Sequence, residues 1–120
     1  MSLRVLIIED HPDTRRVLTA LLCRWGYQVS IAESLKSGIA FIQAKEFDII
    51  LSDIGLPDGT GYALVAEAKR EQKKLKAIAL TGYNSAGDVE IGRNSGFDSY
   101  LTKPCDSRLL RTVLPTPLPG

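Results

Sequence analysis

Short aliphatic runs alternate with stretches of helical periodicity along almost the whole chain, and that alternation is the tightest constraint on its fold. Val5 to Ile8 is an apolar run rich in β-branched residues and bounded by charge, the pattern of a buried strand. Val17, Leu18, Leu21, Leu22 and Trp25 follow at helical spacing, and Gly26 stops them. Tyr27 to Ala32 is a weaker strand, after which Ser34 caps a helix carrying Leu35, Ile39 and Ile42 on one side. Asp48 to Leu51 is the third strand, Tyr62 to about Gln72 the third helix, and Lys76 to Leu80 the fourth strand. A helix is expected from Ser85 to Asn94, ended by Gly96, followed by a short strand at Ser99 to Leu101. A last helix runs from Cys105 to Leu114 and stops at Pro115. Five strands alternating with five helices predict an α/β domain whose parallel sheet is covered on both faces. Right-handed crossovers then aim every strand's C-terminal end at one edge.

Ligands of open parallel sheets sit in the crevice outside those ends, so the residues just after each strand are the informative ones. Strand one is followed by Glu9-Asp10, strand three by Asp53, strand four by Thr81 and strand five by Lys103-Pro104. Each has an ordinary reading when taken alone. Glu-Asp is a solvated loop, Thr a turn or cap, Lys-Pro a turn, and Asp53 a cap for the next helix, although Asp58, Gly59 and Thr60 stand better for that. Their joint occurrence on one edge reads as a site. Three neighbouring carboxylates repel one another, and a divalent cation resolves the conflict. Hard oxygen ligands suit Mg2+ better than zinc or copper. Mg2+ is commonly shared between carboxylates and phosphate, so a phosphoryl ligand is expected, with Lys103 supplying charge and Thr81 a hydroxyl donor. His11, the chain's single histidine, reads as a solvated residue beside Pro12 or as one that affects access to the cation.

Other chemistries find no support. "EDHPDTRR" follows strand one where a nucleotide or flavin site would need a Gly-rich turn. No Ser or Cys nucleophile is paired with a histidine, and Cys23, Cys105 and His11 cannot build a His/Cys zinc site. A net charge of +1 draws the chain to neither nucleic acid nor anionic membrane, and no apolar run is long enough to span a bilayer. Isolated cysteines suit a reducing, cytoplasmic compartment. Lys69, Arg70, Lys73, Lys74 and Lys76 read as a solvated helix end complementing the dipole.

At "VLIIEDHPDTRRVL", "DIILSDIGLPDGTGYAL", "AIALTGY" and "GFDSYLTKP" the chain resembles the receiver domain of two-component response regulators and of hybrid sensor histidine kinases. The resemblance covers nearly the whole chain and implies a doubly wound, flavodoxin-like sheet in the order 2-1-3-4-5. It implies that Asp53 accepts a phosphoryl group from the phosphohistidine of a histidine kinase or histidine phosphotransfer protein. Asp10 and Asp53 would hold Mg2+ directly, Glu9 through a water, and the backbone carbonyl of Ile54 would be a further ligand. Lys103 would bind a phosphoryl oxygen and Thr81 another once Asp53 is modified, while Tyr100 matches the aromatic that changes rotamer with Thr81. The bond before Pro104 would be cis. The switch surface would be the fourth helix, fifth strand and fifth helix, and a homodimer through it is among the implied partners. Neither direct nucleic-acid binding nor membrane contact is implied.

Departures from the family pattern are informative. Gly55 stands two residues after Asp53, where a larger side chain is common, and Tyr83 stands two after Thr81. In the family these positions tune the lifetime of the acyl phosphate. Cys105, where an apolar residue is usual, reads as packing. Residues 1–114 are expected to form the receiver domain and 115–120 a Pro-rich tail or linker. Two further readings stay open, a Mg2+-dependent phosphatase with an aspartate nucleophile and an interaction-only pseudo-receiver. Gly55 argues against the first, where a second Asp is usual, and intact Asp10, Asp53, Thr81 and Lys103 argue against the second. As a receiver the domain would catalyse only its own phosphorylation and dephosphorylation, within either a stand-alone regulator or a hybrid kinase.

Overall fold

Residues 3–81, 96–102 and 107–114 are described by a computed structural model. Strands β1 (Arg4–Ile8), β2 (Gln28–Ala32), β3 (Ile49–Asp53), β4 (Lys76–Thr81) and β5 (Ser99–Thr102) form one parallel sheet in the spatial order β2-β1-β3-β4-β5. A two-residue antiparallel ribbon, Gly55–Leu56 with Gly59–Thr60, stands outside it. Helices α1 (Pro12–Arg24), α2 (Leu35–Ala44) and α3 (Gly61–Glu71) and a last helix (Ser107–Val113) complete the described elements. The expected fold and strand order are therefore observed. The ribbon was not expected, and the helix predicted at 85–94 lies outside the described residues, as does Cys105.

Local sequence explains the helix boundaries. Pro12 opens α1 with its φ already set, Asp13 lies in the first turn and Arg24 in the last, as the helix dipole favours. Gly26 ends the helix at a φ of 93°, which L side chains rarely adopt, and Tyr27 N–H reaches back to the Leu22 carbonyl at 3.0 Å. Ser34 caps α2 as expected, exchanging bonds with Ser37 in a capping box. Thr60 caps α3 through the Ala63 N–H, 3.2 Å away.

The core lies in two layers, as the alternation of side chains across a sheet requires. Leu6, Ile8, Ile50, Ala77 and Ala79 face α2 and α3, meeting Ile42, Leu64, Val65 and Ala68. Val5, Ile7, Ile49, Leu51, Ile78 and Leu80 face Leu18 and Leu22 of α1 and Leu110 of the last helix. β1 and β3 are buried on both faces, hence their unbroken apolar sequence. The last helix is also tied to α1 by the Arg111 guanidinium, 5.0 Å above the Trp25 ring. Among the described residues no helix is long and apolar enough to cross a membrane.

The basic run needs one correction. Lys69 is not simply a solvated helix end. Its Nζ donates to the Leu75 carbonyl and to Asp98 Oδ2, both at 2.8 Å, and Asp98 Oδ2 also accepts the buried Ala77 N–H at 2.8 Å. Burial of the main chain at the start of β4 gives Lys69 a specific partner that composition cannot show. Asp98→Ala strands the Ala77 N–H and should cost about 1–3 kcal/mol, read as a lower urea midpoint at unchanged slope. An unchanged midpoint would mean that water replaces the carboxylate without loss.

Candidate functional site

Strand register assembles the site. Ile8 pairs with Ser52, so Glu9 stands level with Asp53, whose partner on the other side is Leu80. Thr81 lies one residue further along, opposite Thr102. With strands about 4.8 Å apart and a rise of about 3.3 Å per residue, the Cα atoms of Glu9 and Asp53 are roughly 5 Å apart, with Thr81 about 6 Å from Asp53. The main chains of β1, β3 and β4 thus bring Glu9, Asp10, Asp53 and Thr81 to one edge. Lys103, Pro104 and Tyr83 lie outside the described residues. Tyr100 is not at the edge itself. It pairs with Ala79, two residues below Thr81, and its ring packs 5.9 Å from Phe97 on the α3 side of the sheet.

The carboxylates occupy different environments. Glu9 is fully buried and its Oε1 accepts the His11 N–H at 3.3 Å, whereas Asp10 is exposed and Asp53 half-buried. Donor atoms of Glu9, Asp10 and His11 lie within 4.8 Å of one another, with Asp53 one strand over and outside that tight group. Arg15 Nη1 donates to the Glu9 carbonyl at 3.2 Å and pairs with Glu33 Oε1 at 3.2 Å, so its charge is directed at Glu33. An open cleft of about 800 Å³ adjoins Asp10, bounded by Arg15, Ser34, Ser37 and Pro57. Buried and half-buried oxygens of one sign, with main-chain carbonyls beside them, are the donor set a hard divalent cation takes.

Behind Asp53 the chain is held by main-chain and hydroxyl bonds. Ser52, fully buried, donates its hydroxyl to the Asp53 carbonyl at 2.8 Å. Gly61 N–H donates to the Ile54 carbonyl at 2.8 Å. In an antiparallel ribbon hydrogen-bonding residues alternate, so Ile54 and Leu56 face the partner strand and the Gly55 carbonyl turns away from it. Among the described residues nothing lies within 4 Å of where a Gly55 side chain would begin. A Cβ on Gly61, by contrast, would run into the Asp53 carbonyl oxygen and stand 3.2 Å from Ile54 Cα.

Thr60, one of the three residues the sequence set ahead of Asp53 for the role, caps α3, and Asp58 acts elsewhere. Its carboxylate accepts the Leu35 N–H at 2.7 Å and the Lys36 N–H at 3.0 Å, capping α2 from the ribbon's tip. Sequence reasoning missed this contact because its partner is distant in the chain. The "PDG" turn signal was nevertheless there to mark the hairpin. Ser52 and Gly61 were missed as well. A hydroxyl directly before the strand-end carboxylate was the available sign for Ser52.

A sequence profile of the response regulator receiver domain matches residues 5–115. Protein PilH of Pseudomonas aeruginosa is 33% identical over 113 residues, covering 92% of this chain and 93% of PilH. The crystal structure of a CheY-like response regulator receiver domain protein from Methanospirillum hungatei superposes with a TM-score of 0.88 at 33% identity, covering 94% of this chain and 91% of that one. The receiver domain of a sensor histidine kinase from Pseudomonas aeruginosa, solved with a magnesium ion coordinated in its active-site cleft, gives 0.83 at 28% identity, with 94% of each chain covered. The chain spans less than half the length of several other curated relatives, transcriptional regulators and a sensor histidine kinase among them.

Two outcomes are expected of the loop behind Asp53. Gly61→Ala forces the Asp53 carbonyl aside and should destabilise the protein by about 1–3 kcal/mol, with the largest amide shifts in an NMR spectrum at residues 52–54. Shifts confined to α3 would disprove the close approach. The two main-chain donors hold the Asp58 carboxyl below its ordinary value near 3.8. A folded pKa below the unfolded one makes the contribution fully present above the ordinary carboxylate range and lost as pH falls through the depressed value. The stability gap between wild type and Asp58→Asn should therefore be open at pH 7 and close on acidification. A gap constant with pH would show that the charge contributes nothing.

Proposed function

The chain belongs to the response regulator receiver domain family of two-component signalling, and from that membership we propose that Asp53 is its phosphoryl acceptor. The phosphoryl donor is the phosphohistidine of a histidine kinase or histidine phosphotransfer protein. The observation that carries this reading is the register that sets Asp53, last residue of a central strand, level with buried Glu9 and one residue short of Thr81.

Mg2+ would supply charge neutralisation when bound at this edge. Asp10 and Asp53 would hold it directly, and buried Glu9 through a water. For the main-chain ligand the sequence expectation shifts by one residue. The Ile54 carbonyl is already bonded to the Gly61 N–H, so the Gly55 carbonyl, turned away from the ribbon, is the better candidate. Asp53 Oδ attacks phosphorus, the P–N bond to the donor imidazole breaks, and the electron pair leaves with the histidine nitrogen. Lys103 neutralises a phosphoryl oxygen, and the Thr81 hydroxyl hydrogen-bonds another, drawing Tyr100 with it. In-line transfer demands position more than covalent help from the protein, and the Ser52 and Gly61 contacts supply position. The changed surface would comprise β5, the last helix and the segment expected from sequence to be helical at 85–94, through which a second copy or another partner would be read. Residues 1–114 form the receiver domain, with 115–120 as tail or linker, in a cytoplasmic protein.

Incubation with Mg2+ and a radiolabelled small acyl phosphate should label wild type and leave Asp53→Ala unlabelled. Label on neither would favour an interaction-only pseudo-receiver, and equal label on both would move the acceptor elsewhere. None of the described residues crowds Gly55, which would leave attacking water a path, and Tyr83 would act as a partial screen. Gly55→Asn should slow loss of the phosphoryl group, and Tyr83→Ala should speed it, each by about threefold or more. Unchanged decay in both variants would sink this account of lifetime.

A further inference from the structure

We propose that the imidazole Nδ1 of His11 is an additional ligand at this edge, allowing it to take a first-row transition ion such as Zn2+ or Ni2+ besides Mg2+. The proposal rests on reading the edge as a cation site and adds to it a nitrogen donor belonging to this chain's own loop.

His11 Nδ1 lies 3.6 Å from Asp10 Oδ1 and 3.7 Å from Glu9 Oε1. Both separations exceed a hydrogen bond, which would bring nitrogen and oxygen to about 2.7–3.2 Å. Two ligands on one ion at about 2.0–2.2 Å lie about 2.8–3.6 Å apart in octahedral or tetrahedral geometry, so a small ring rotation brings His11 into range. Its main chain is fixed on both sides. The N–H bonds Glu9 Oε1, the carbonyl accepts the Arg15 N–H at 3.0 Å, and Pro12 follows. The ring is 74% exposed, so it can turn onto an ion without vacating the core.

Ligand chemistry gives the nitrogen its consequence. Mg2+ prefers oxygen and gains little from imidazole, whereas Zn2+, Ni2+ and Cu2+ bind it strongly. Carboxylates alone already serve Mg2+, and an imidazole added to them strengthens the loop's hold on first-row transition ions. Because His11 is the chain's single histidine, any imidazole signal from a bound ion can be assigned to it.

Calorimetric titration of wild type and His11→Ala with Mg2+, Zn2+ and Ni2+ is the test, joined by electron paramagnetic resonance of bound Cu2+ after ring-15N labelling of histidine. Affinity for Zn2+ and Ni2+ should fall at least about tenfold in His11→Ala while that for Mg2+ stays within about twofold, and wild type alone should show 15N coupling to copper. Equal losses for all ions, or no loss for Zn2+ and Ni2+, would overturn the proposal. If Mg2+ binds both proteins alike and Zn2+ ignores His11, the magnesium reading stands without it. If neither protein takes Mg2+ yet Zn2+ binding needs His11, the proposal stands and the magnesium reading fails.

Discussion

Repulsion between carboxylates at one sheet edge is the constraint around which this molecule is arranged. Pairing Ile8 with Ser52 leaves Glu9 beside Asp53, and the chain sequence then adds Asp10. Such a cluster disfavours the folded state unless opposite charge or hydrogen-bond donors offset it. The protein meets part of the demand with main-chain N–H groups and directs its nearby guanidinium to Glu33. On the function proposed above, a bound cation and the phosphoryl group it shares would offset the rest. The two-sided apolar core holds the strands in that register, so stability is spent on keeping like charges together.

The loop that follows Asp53 is held by few contacts. A buried hydroxyl, one glycine N–H and a ribbon of four residues fix the backbone beyond Asp53. Asp58 at the ribbon's tip then anchors the loop to α2 across more than 20 positions of sequence. The backbone around Asp53 is thereby linked to a helix on the sheet's face.

Much of this was readable in the residues before any coordinates. The central strands were visible because burial on both faces writes unbroken apolar runs, as at Val5–Ile8 and Ile49–Leu51, whereas edge strand β2 gave a weaker signal. The edge residues followed, since a parallel sheet sends every strand end the same way. β3 and β4 run through to Asp53 and Thr81, past the apolar runs that end at Leu51 and Leu80. Contacts between distant segments were not legible. Asp58 with α2, Lys69 with Asp98 and Gly61 against the Asp53 carbonyl all depend on how elements pack, and no local periodicity encodes them. The choice of main-chain ligand turns on the same kind of pairing. Which carbonyl faces outward is decided by the ribbon's alternation, and the ribbon itself was unseen.

Trp25 lies at the end of α1, on the sheet face away from α2, with the Arg111 guanidinium over its ring. It is the chain's sole tryptophan. Indole emission responds to a charge held against the ring, so any shift of the last helix relative to α1 alters the protein's own optical signal. The domain thus carries a native fluorophore at the joint between its first and last helices, and their relative movement can be followed without attaching a dye.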